Sequence, residues 1–220
     1  MSTESVRAYH SPRRRLQAAQ TRAAVLDAAA HLFSEFGWAD TSMRRVAQSA
    51  GVSIETVYAG FGSKGDLLAA VMDVAVVGDD LPVPLAQRDV VALLGTGTPA
   101  ERVAKAAQMS VAISGRTCEL VQALIQGGAT DATVAGRLAD LDVRRRVEVA
   151  GSFERVASRA PSAAELDEAW LLTSAESFHL LVHRSGWTSE QYERWLADRL
   201  LELTSRNPTT PSQVNTNERS

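Results

Sequence analysis

Residues 41–62 read TSMRRVAQSAGVSIETVYAGFG, a stretch with one short helical segment on either side of a glycine. Ser42 and Ser53 stand where the two segments begin, and serine is a favoured residue at a helix N-terminus. Gly51 breaks the chain between the segments. Two short helices joined at such a turn are typical of the helix-turn-helix motif, whose second helix enters the DNA major groove. Because any tight helical hairpin shows the same pattern, the motif needs support from the surrounding sequence.

The sequence on both sides of this stretch is also helical in pattern. Ser63 can cap a further helix towards Val77. From residue 85 onward, breaks that contain glycine or proline separate helical segments expected at about 85–95, 99–114, 116–127, 131–159, 162–185 and 188–206. No stretch alternates apolar and polar residues for long enough to indicate a strand. We therefore expect an all-α protein in two parts. Before the motif, the apolar residues that recur at helical steps up to a stop at Gly37 are Leu16, Ala19, Ala23, Leu26, Ala30 and Phe33.

Composition divides the chain into five segments. Residues 1–15 are polar and end in three arginines, which predicts a disordered basic arm. A three-helix helix-turn-helix DNA-binding domain is expected over residues 16–78, with its recognition helix at about 53–59. A connection with two prolines then leads to a larger helical domain over residues 85–206. Residues 207–220, rich in Thr, Ser, Asn and Pro, are expected to form a disordered tail.

Charge and cysteine content narrow the class of protein. The net charge of the 220 residues is −3, yet residues 1–66 hold eight basic side chains against six acidic ones. A weakly basic head on an acidic body favours a polyanionic partner at one end of the molecule. The single cysteine, Cys118, forms no intramolecular disulfide and fits the reducing cytoplasm. Because the apolar runs are too short to span a bilayer, we expect no membrane association.

Signatures of enzymes are weak in this sequence. His179 and His183 lie four residues apart with Glu176 nearby, a spacing that could hold a metal ion, but no HExxH motif is present. The favoured interpretation is an amphipathic helix whose histidines lie in or beside a subunit contact. No serine lies in a GxSxG motif, and no glycine-rich loop is followed by GK[ST]. We therefore predict a protein that is not an enzyme and that holds no metal and no cofactor.

A longer pattern gives the strongest indication of function. Residues 21–37, TRAAVLDAAAHLFSEFG, resemble the first helix of the TetR family of bacterial transcriptional regulators. Residues 41–53 resemble the second helix and turn of that family, and residues 54–68 resemble its recognition helix and the start of its fourth helix. The resemblance covers about residues 17–77. It implies a homodimeric, ligand-responsive regulator, a repressor that a small-molecule inducer releases from a near-palindromic double-stranded DNA operator.

The alternative comes from a different class of protein. Under that interpretation the chain is a helical small-molecule-binding protein or enzyme, and its three-helix cap does not bind DNA. Arg44, Thr56, Tyr58 and Lys64 separate the two interpretations, since a cap of that kind has no need of them together.

Roles for individual DNA-binding residues follow from the motif together with the resemblance. Tyr58 and Lys64 suit phosphate oxygens, and Arg44 suits guanine because its family counterpart projects towards the groove. Thr56 suits a phosphate or a thymine methyl group. Glu55 either stabilises the helix dipole or accepts a hydrogen bond from cytosine N4. The complete predicted set is Ser42, Arg44, Ser53, Glu55, Thr56, Tyr58 and Lys64.

The larger domain is predicted to bind the ligand. Small residues are frequent between residues 85 and 159, and small side chains between helices leave room for an apolar pocket, although they equally permit close packing. The predicted lining residues of this pocket are Gln108, Met109, Ile113, Leu120, Leu124 and Trp170.

The same domain is predicted to dimerise through its last two helical segments, residues 163–183 and 188–203. Two copies of such a pair can form a four-helix bundle, which resembles the usual dimer interface of the family. The alternative is that the pair completes the core of a single copy. The predicted interface residues are Leu166, Phe178, Leu181, Trp195, Leu196 and Leu200.

Overall fold

The computed structural model describes residues 12–79 and 83–206, and every regular element within these ranges is helical. The predicted all-α fold class is therefore confirmed. No helix in this part of the chain combines the length and the apolarity that a membrane crossing requires. The α-helices are α1 (Pro12–Asp40), α2 (Met43–Ala50), α3 (Ile54–Phe61), α4 (Lys64–Val77), α5 (Asp89–Ala92), α6 (Pro99–Gly128), α7 (Ala132–Ala157), α8 (Ala163–Leu172), α9 (Ala175–Phe178) and α10 (Ser189–Thr204). Short 3₁₀ turns lie at Leu85–Gln87 and Leu93–Gly95, and a π-helical segment spans His179–Arg184.

The chain folds as two compact units. The first unit comprises the chain up to Leu85 together with Ile113–Val143, and the second comprises Ala86–Ala112 together with the chain from Arg144 onward. Two of the three boundaries, after Ala112 and after Val143, fall inside long helices, because α6 and α7 each contribute one half to each unit. Residues 113–143 cluster with the N-terminal helices, although they lie within the segment that the sequence analysis assigns to the larger domain. The functional assignment of that segment stays a prediction.

The first unit is built around the apolar face of α1. This helix is interrupted near its end by Gly37, whose φ of 69° is outside the helical range, as the predicted stop at this glycine requires. The hydroxyl of Thr41 then donates to the carbonyl of Leu32, 3.0 Å away, and fixes the chain as it turns into α2. The buried apolar residues of α1 to α4 are Val25, Leu26, Ala29, Leu32, Phe33, Met43, Val46, Ala47, Val57, Leu67, Leu68, Val71 and Met72.

The predicted disordered arm over residues 1–15 needs a correction at its C-terminal end. Arg13, Arg14 and Arg15 lie in the first turns of α1 with exposed side chains. Arginine is a good helix former, and Pro12 suits the first helical position because its missing N–H has no intrahelical partner there. Residues 1–11 and the predicted tail over 207–220 lie outside the described residues.

The structure differs from two expectations about where the helices break. Residues 99–128 form one continuous helix, although a break was expected near Gly115. A single glycine costs a helix about 1 kcal/mol, which the packing of a long helix offsets. In contrast, the continuous helix expected over residues 162–185 is interrupted after Leu172, where Thr173 leaves the helix and Ser174 caps the next one.

This interruption between α8 and α9 is stabilised by side chains that bond the carbonyl groups it exposes. The hydroxyl of Tyr192 donates to the carbonyl of Leu172 at 2.8 Å, and the guanidinium of Arg145 donates to the carbonyl of Trp170 at 2.5 Å. The hydroxyl of Ser177 donates to the carbonyl of Leu171 at 2.8 Å. Because buried carbonyls need partners, these bonds make the interruption a stable feature of the second unit.

Three residues predicted for the dimer interface are buried in a single copy, and their part in an interface stays a prediction. Phe178, Leu196 and Leu200 are buried within the chain. Leu196, Leu200 and Leu203 recur at three- and four-residue steps on α10, and this face packs into the unit's own core. Their role in the monomer core is the alternative that the sequence left open. Phe178 packs edge-on against Tyr192 of the same unit, with ring centroids 5.2 Å apart.

An ion pair at the start of α8 makes the second unit sensitive to pH. The buried carboxylate of Glu165 accepts from both terminal nitrogens of Arg159, at 2.6 and 3.0 Å, and from the backbone N–H of Ser162 at 2.8 Å. The Arg159 hydrogen bonds are the main cause that lowers the pKa of Glu165 to about 2. A carboxyl whose pKa is lower in the folded state stabilises the fold above its unfolded pKa, and this contribution is lost as the pH falls towards the folded pKa.

We expect Glu165→Gln to lower the free energy of unfolding by about 1–3 kcal/mol at neutral pH, because a charge-assisted pair is lost. The difference from the parent chain should shrink as the pH falls from 4.5 towards 2, the range over which the parent carboxylate takes up its proton. Urea unfolding at several pH values measures the difference in free energy of unfolding between the variant and the parent chain. Glu154→Gln, at an exposed position of α7, is the matched control and should change stability by less than about 0.5 kcal/mol. A difference that stays constant down to pH 2 would contradict the assignment.

Candidate nucleic-acid interface

The turn between α2 and α3 has the geometry of a helix-turn-helix. Gly51 ends α2 in the left-handed region with φ 67°, and the N–H of Val52 bonds the carbonyl of Ala47 at 3.0 Å. This pattern closes the end of α2 and turns the chain sharply. The hydroxyl of Ser53 then accepts from the N–H of Thr56 at 3.2 Å and begins α3. Ser42 caps α2 in the same way, by accepting from the N–H of Arg45.

The recognition helix α3 is held by one side and exposes the other. Val57 is its fully buried residue, whereas Glu55, Thr56 and Tyr58 are exposed. Tyr58 keeps 50% of its surface accessible, so its phenol can reach a group outside the head. The helix spans Ile54–Phe61, with Ser53 as its cap, and therefore runs two residues further than predicted. Its exposed face carries hydroxyl groups and one carboxylate, which are groups that can bond bases and phosphates.

Glu55 interacts with the beginning of its own helix. The backbone N–H of Glu55 is the main cause that lowers the pKa of its carboxyl, and the Ser53 hydroxyl adds to the effect. The carboxylate thus acts as an N-terminal helix stabiliser in the free protein. Its side chain remains exposed, so a contact to cytosine stays a prediction.

The two arginines of α2 have different environments. The guanidinium of Arg45 lies 3.8 Å from the ring centroid of Phe36 and donates to the carbonyl of Asp40 at 3.0 Å. Arg45 therefore ties α2 back to the end of α1. Arg44 is exposed. This difference supports the choice of Arg44 over Arg45 as the base-reading candidate, and the contact itself stays a prediction.

Lys64, the predicted phosphate ligand at the start of α4, is engaged within the head. Its ammonium donates to the carbonyl of Trp38 and lies 4.0 Å from the centroid of the Trp38 ring. Burial lowers the pKa of Lys64, and the nearby Asp40 opposes this effect. An ammonium has three N–H donors, so a phosphate contact has to use those that Trp38 leaves. The phosphate role of Lys64 stays a prediction.

Trp38 is the central residue that sequence reasoning missed. Its backbone N–H donates to the side-chain oxygen of Gln126 at 3.2 Å, and its ring stacks on Phe33 with centroids 6.1 Å apart. A Cβ built on Gly127 would lie 2.8 Å from the Trp38 ring, so this glycine allows α6 to approach. The adjacent glycines 127 and 128 were the signal in the sequence, but they do not identify the partner.

A second contact joins the same parts of the first unit. Asp66 of α4 receives a hydrogen bond from Arg137 of α7 at 2.6 Å and another from the Ser63 hydroxyl at 2.7 Å. The Ser63 bond is the main cause that lowers the pKa of Asp66, followed by the Arg137 bond. Together with Trp38, this pair fixes the start of α4 against the end of α6 and the start of α7.

The residues predicted for the ligand pocket fall in both units. Ile113, Leu120 and Leu124 belong to the first unit, where Leu120 and Leu124 are buried. Gln108, Met109 and Trp170 belong to the second unit, where Gln108 is exposed and the indole nitrogen of Trp170 is buried without a hydrogen-bond partner. The pocket stays a prediction.

The cysteine and the histidine pair belong to different units. Cys118 is buried, and burial raises the pKa of its thiol to about 11. A thiol with such a pKa is protonated at neutral pH and reacts slowly. The rings of His179 and His183 stack with centroids 5.4 Å apart in the π-helical segment.

Comparison with known proteins agrees with this geometry. Residues 25–71 match the family model described as bacterial regulatory proteins, tetR family. No curated protein sequence matches the chain.

Solved structures of similar fold extend the likeness over most of the chain. A TetR-family transcriptional regulator from Syntrophomonas wolfei is 15% identical with a TM-score of 0.64, over 84% of this chain and 95% of that chain. A TetR-family regulator from a Rhodococcus species is 17% identical with a TM-score of 0.61, over 85% and 100%. A transcriptional regulator from Saccharomonospora viridis, solved in complex with choline, is 18% identical with a TM-score of 0.60, over 82% and 95%. At these identities the likeness establishes the fold.

The fold and the site define an all-α protein with a helix-turn-helix head. The match to the tetR family model over residues 25–71 lies within the part of the chain in which the sequence resembles that family, and it confirms the resemblance there. The chain thus has a tetR-like head, and the solved structures show the same fold over most of its length.

We expect Gly127→Ala to destabilise the protein by about 1–3 kcal/mol, because the new methyl group would overlap the Trp38 ring and Val134. Gly115→Ala is the matched control in the same helix, since a Cβ there meets nothing within 4 Å. The control should raise the free energy of unfolding by up to about 1 kcal/mol. Urea unfolding of the two variants measures the difference. Equal stabilities would show that α6 does not depend on a close approach to Trp38.

Proposed function

We propose that the chain is a homodimeric repressor that binds a near-palindromic DNA operator through α3 and leaves it when a small molecule binds. The observation that carries the proposal is the exposed polar face of α3, which follows a helix-turn-helix turn closed by Gly51. In this motif the second helix lies in the major groove and the first crosses the DNA backbone.

Within this proposal the exposed residues divide into two groups. Arg44 reads a guanine through its two parallel N–H groups, and Glu55 and Thr56 contact base edges or the adjacent phosphate. Tyr58, Lys64 and the N-terminus of α2 at Ser42 bind phosphates, while Ser53 fixes the start of α3. Phosphate contacts set affinity for any DNA, whereas base contacts set preference among sequences.

The test of DNA binding begins with selection of bound sites from a pool of random duplexes. We expect a near-palindromic site bound by two copies of the chain. Tyr58→Phe should weaken binding to selected and random duplexes by the same factor, because it removes a phosphate contact. Arg44→Ala should instead relax preference at one base position by about 1–3 kcal/mol.

Fluorescence anisotropy on operator variants separates these outcomes. A uniform loss across all variants for Arg44→Ala would contradict its base-reading role. Failure of the parent chain to bind any duplex at low salt would contradict the proposal as a whole.

Dimerisation is proposed through α8, α9, α10 and the π-helical segment between α9 and α10. The apolar side chains that remain available on these elements include Leu171, which is 58% exposed, together with Leu180 and Leu201. Leu166, Leu181 and Trp195 of the predicted set are partly exposed and can contribute area. Exposed large apolar residues on neighbouring helices are typical of a surface that a partner covers.

The proposed ligand response has structural support in the first unit. Arg116 of α6 donates to the carbonyls of Ala75 and Val76 at 2.7 and 3.2 Å, and these carbonyls end α4. Gln126 of the same helix bonds Trp38 at the other end of the head. A change in α6 therefore acts on both ends of α4. The Saccharomonospora viridis structure holds choline, which supports a small molecule as the effector, and the chemistry of the effector for this chain is open.

Reciprocity between the two sites tests the ligand response. For a compound that shifts the melting temperature of the protein, we expect operator DNA to weaken compound binding by the same factor by which the compound weakens operator binding. A tenfold factor corresponds to about 1.4 kcal/mol of coupling. Calorimetry with and without operator measures it, and random duplex serves as the control. Identical compound affinities in the two titrations would contradict release by this mechanism.

A further inference from the structure

Ala59 lies on the side of α3 that points furthest from the core of the head. A residue advances about 100° around an α-helix, so Ala59 lies about 160° from the buried Val57. Ile54 and Phe61, which are partly buried, lie about 140° and about 160° away from it. Ala59 itself is exposed. The centre of the face that α3 turns away from the protein is therefore a methyl group.

Two polar side chains border this methyl group, and both interact with the first turn of α3. Glu55 and Thr56 precede Ala59 by four and three residues, and residues at these separations are neighbours on a helix surface. The hydroxyl oxygens of Thr56 and Ser53 lie 3.0 Å apart. The carboxylate of Glu55 interacts with its own backbone N–H and with the Ser53 hydroxyl. At Ala59, one turn further on, the exposed face presents a methyl group and no hydrogen-bonding side chain.

The chemistry of the major groove offers one matching partner for such a methyl group. Hydrogen-bonding side chains recognise the donors and acceptors of base edges, whereas an alanine side chain contacts the C5-methyl group of thymine. Contact between two methyl groups removes apolar surface from water, and the burial of one such group strengthens binding by about fourfold. The next residue, Gly60, is exposed and carries no side chain, so α3 can approach the base edges closely at this turn.

We propose that Ala59 is a specificity-determining residue, whose methyl group contacts the C5-methyl group of one thymine in each half of the operator. The inference rests on the proposed DNA binding by α3. Among the four bases of DNA, thymine is the one that carries a methyl group in the major groove. The contact therefore favours an A·T pair in one orientation at the position that Ala59 faces.

Exchange of single thymines for deoxyuridine in the selected operator tests the proposal, because the exchange removes only the C5-methyl group. For the parent chain, we expect one thymine in each half-site at which the exchange raises the Kd by about fourfold. For Ala59→Gly, exchange at that thymine should leave the Kd unchanged. Fluorescence anisotropy measures both duplexes with each protein. The readout is the ratio of the two Kd values, so a general loss of affinity caused by the lower helix propensity of glycine does not alter it.

Thr56→Ser is the matched control, since it removes one methyl group from the same face of α3 and keeps the hydroxyl. This variant should retain the effect of deoxyuridine at the thymine that Ala59 contacts. Survival of the effect in Ala59→Gly, or its loss in both variants, overturns the assignment. Circular dichroism of each variant confirms that the head is folded.

The parent chain alone separates failure of this inference from failure of the proposed function. A parent chain that binds no duplex overturns the proposed DNA binding. A parent chain that binds its selected operator, with no thymine sensitive to deoxyuridine, overturns the methyl contact and leaves DNA binding intact. This measurement requires no variant, so it decides the question even if glycine at position 59 prevents α3 from folding.

Discussion

The head depends on one residue, Trp38, which brings the end of α1, the start of α4 and the end of α6 together. Its carbonyl and its ring both receive the ammonium of Lys64, and its N–H bonds Gln126. The carbonyl lies just beyond the glycine that interrupts α1, where a helix end leaves acceptors without intrahelical partners. A cation is favoured at such a position, and the ring adds a second attraction for it. The Lys64 side chain thus both caps the Trp38 carbonyl and packs against the Trp38 ring.

The helix-turn-helix itself was predictable from the sequence because its determinants are local. Ser42, Gly51 and Ser53 set helix ends through bonds that span three to five residues, and the structure places all three in these roles. The buried pair Val46 and Val57 follows from the apolar spacing of the two short helices. The all-α class is similarly local, since it rests on periodicity and on the absence of alternating segments.

Other features of the fold depend on residues that are distant in the sequence, and these were not predictable. The interruption after Leu172 is stable because Tyr192 and Arg145 donate to its carbonyls, and no pattern near Leu172 names these partners. The same holds for Leu196 and Leu200, whose apolar spacing on α10 shows that they are buried but not whether a second copy or their own unit buries them. At Gly115 a local signal was misleading, because this glycine, a residue that disfavours helix, does not interrupt a helix of 30 residues.

The position of the short helix α3 also depends on contacts to residues that are distant in the sequence. With Val57 as its one buried residue, α3 gains little from its own packing, and its position comes from the helices on either side. Its last residue and the first residue of α4 are separated by Gly62 and Ser63 alone, so the Lys64–Trp38 contact fixes its C-terminal end. Gln126 bonds the same tryptophan from α6. A movement of the end of α6 would therefore reach α3 through Trp38 and Lys64 and change how the exposed face meets DNA, without passing along the whole length of α4.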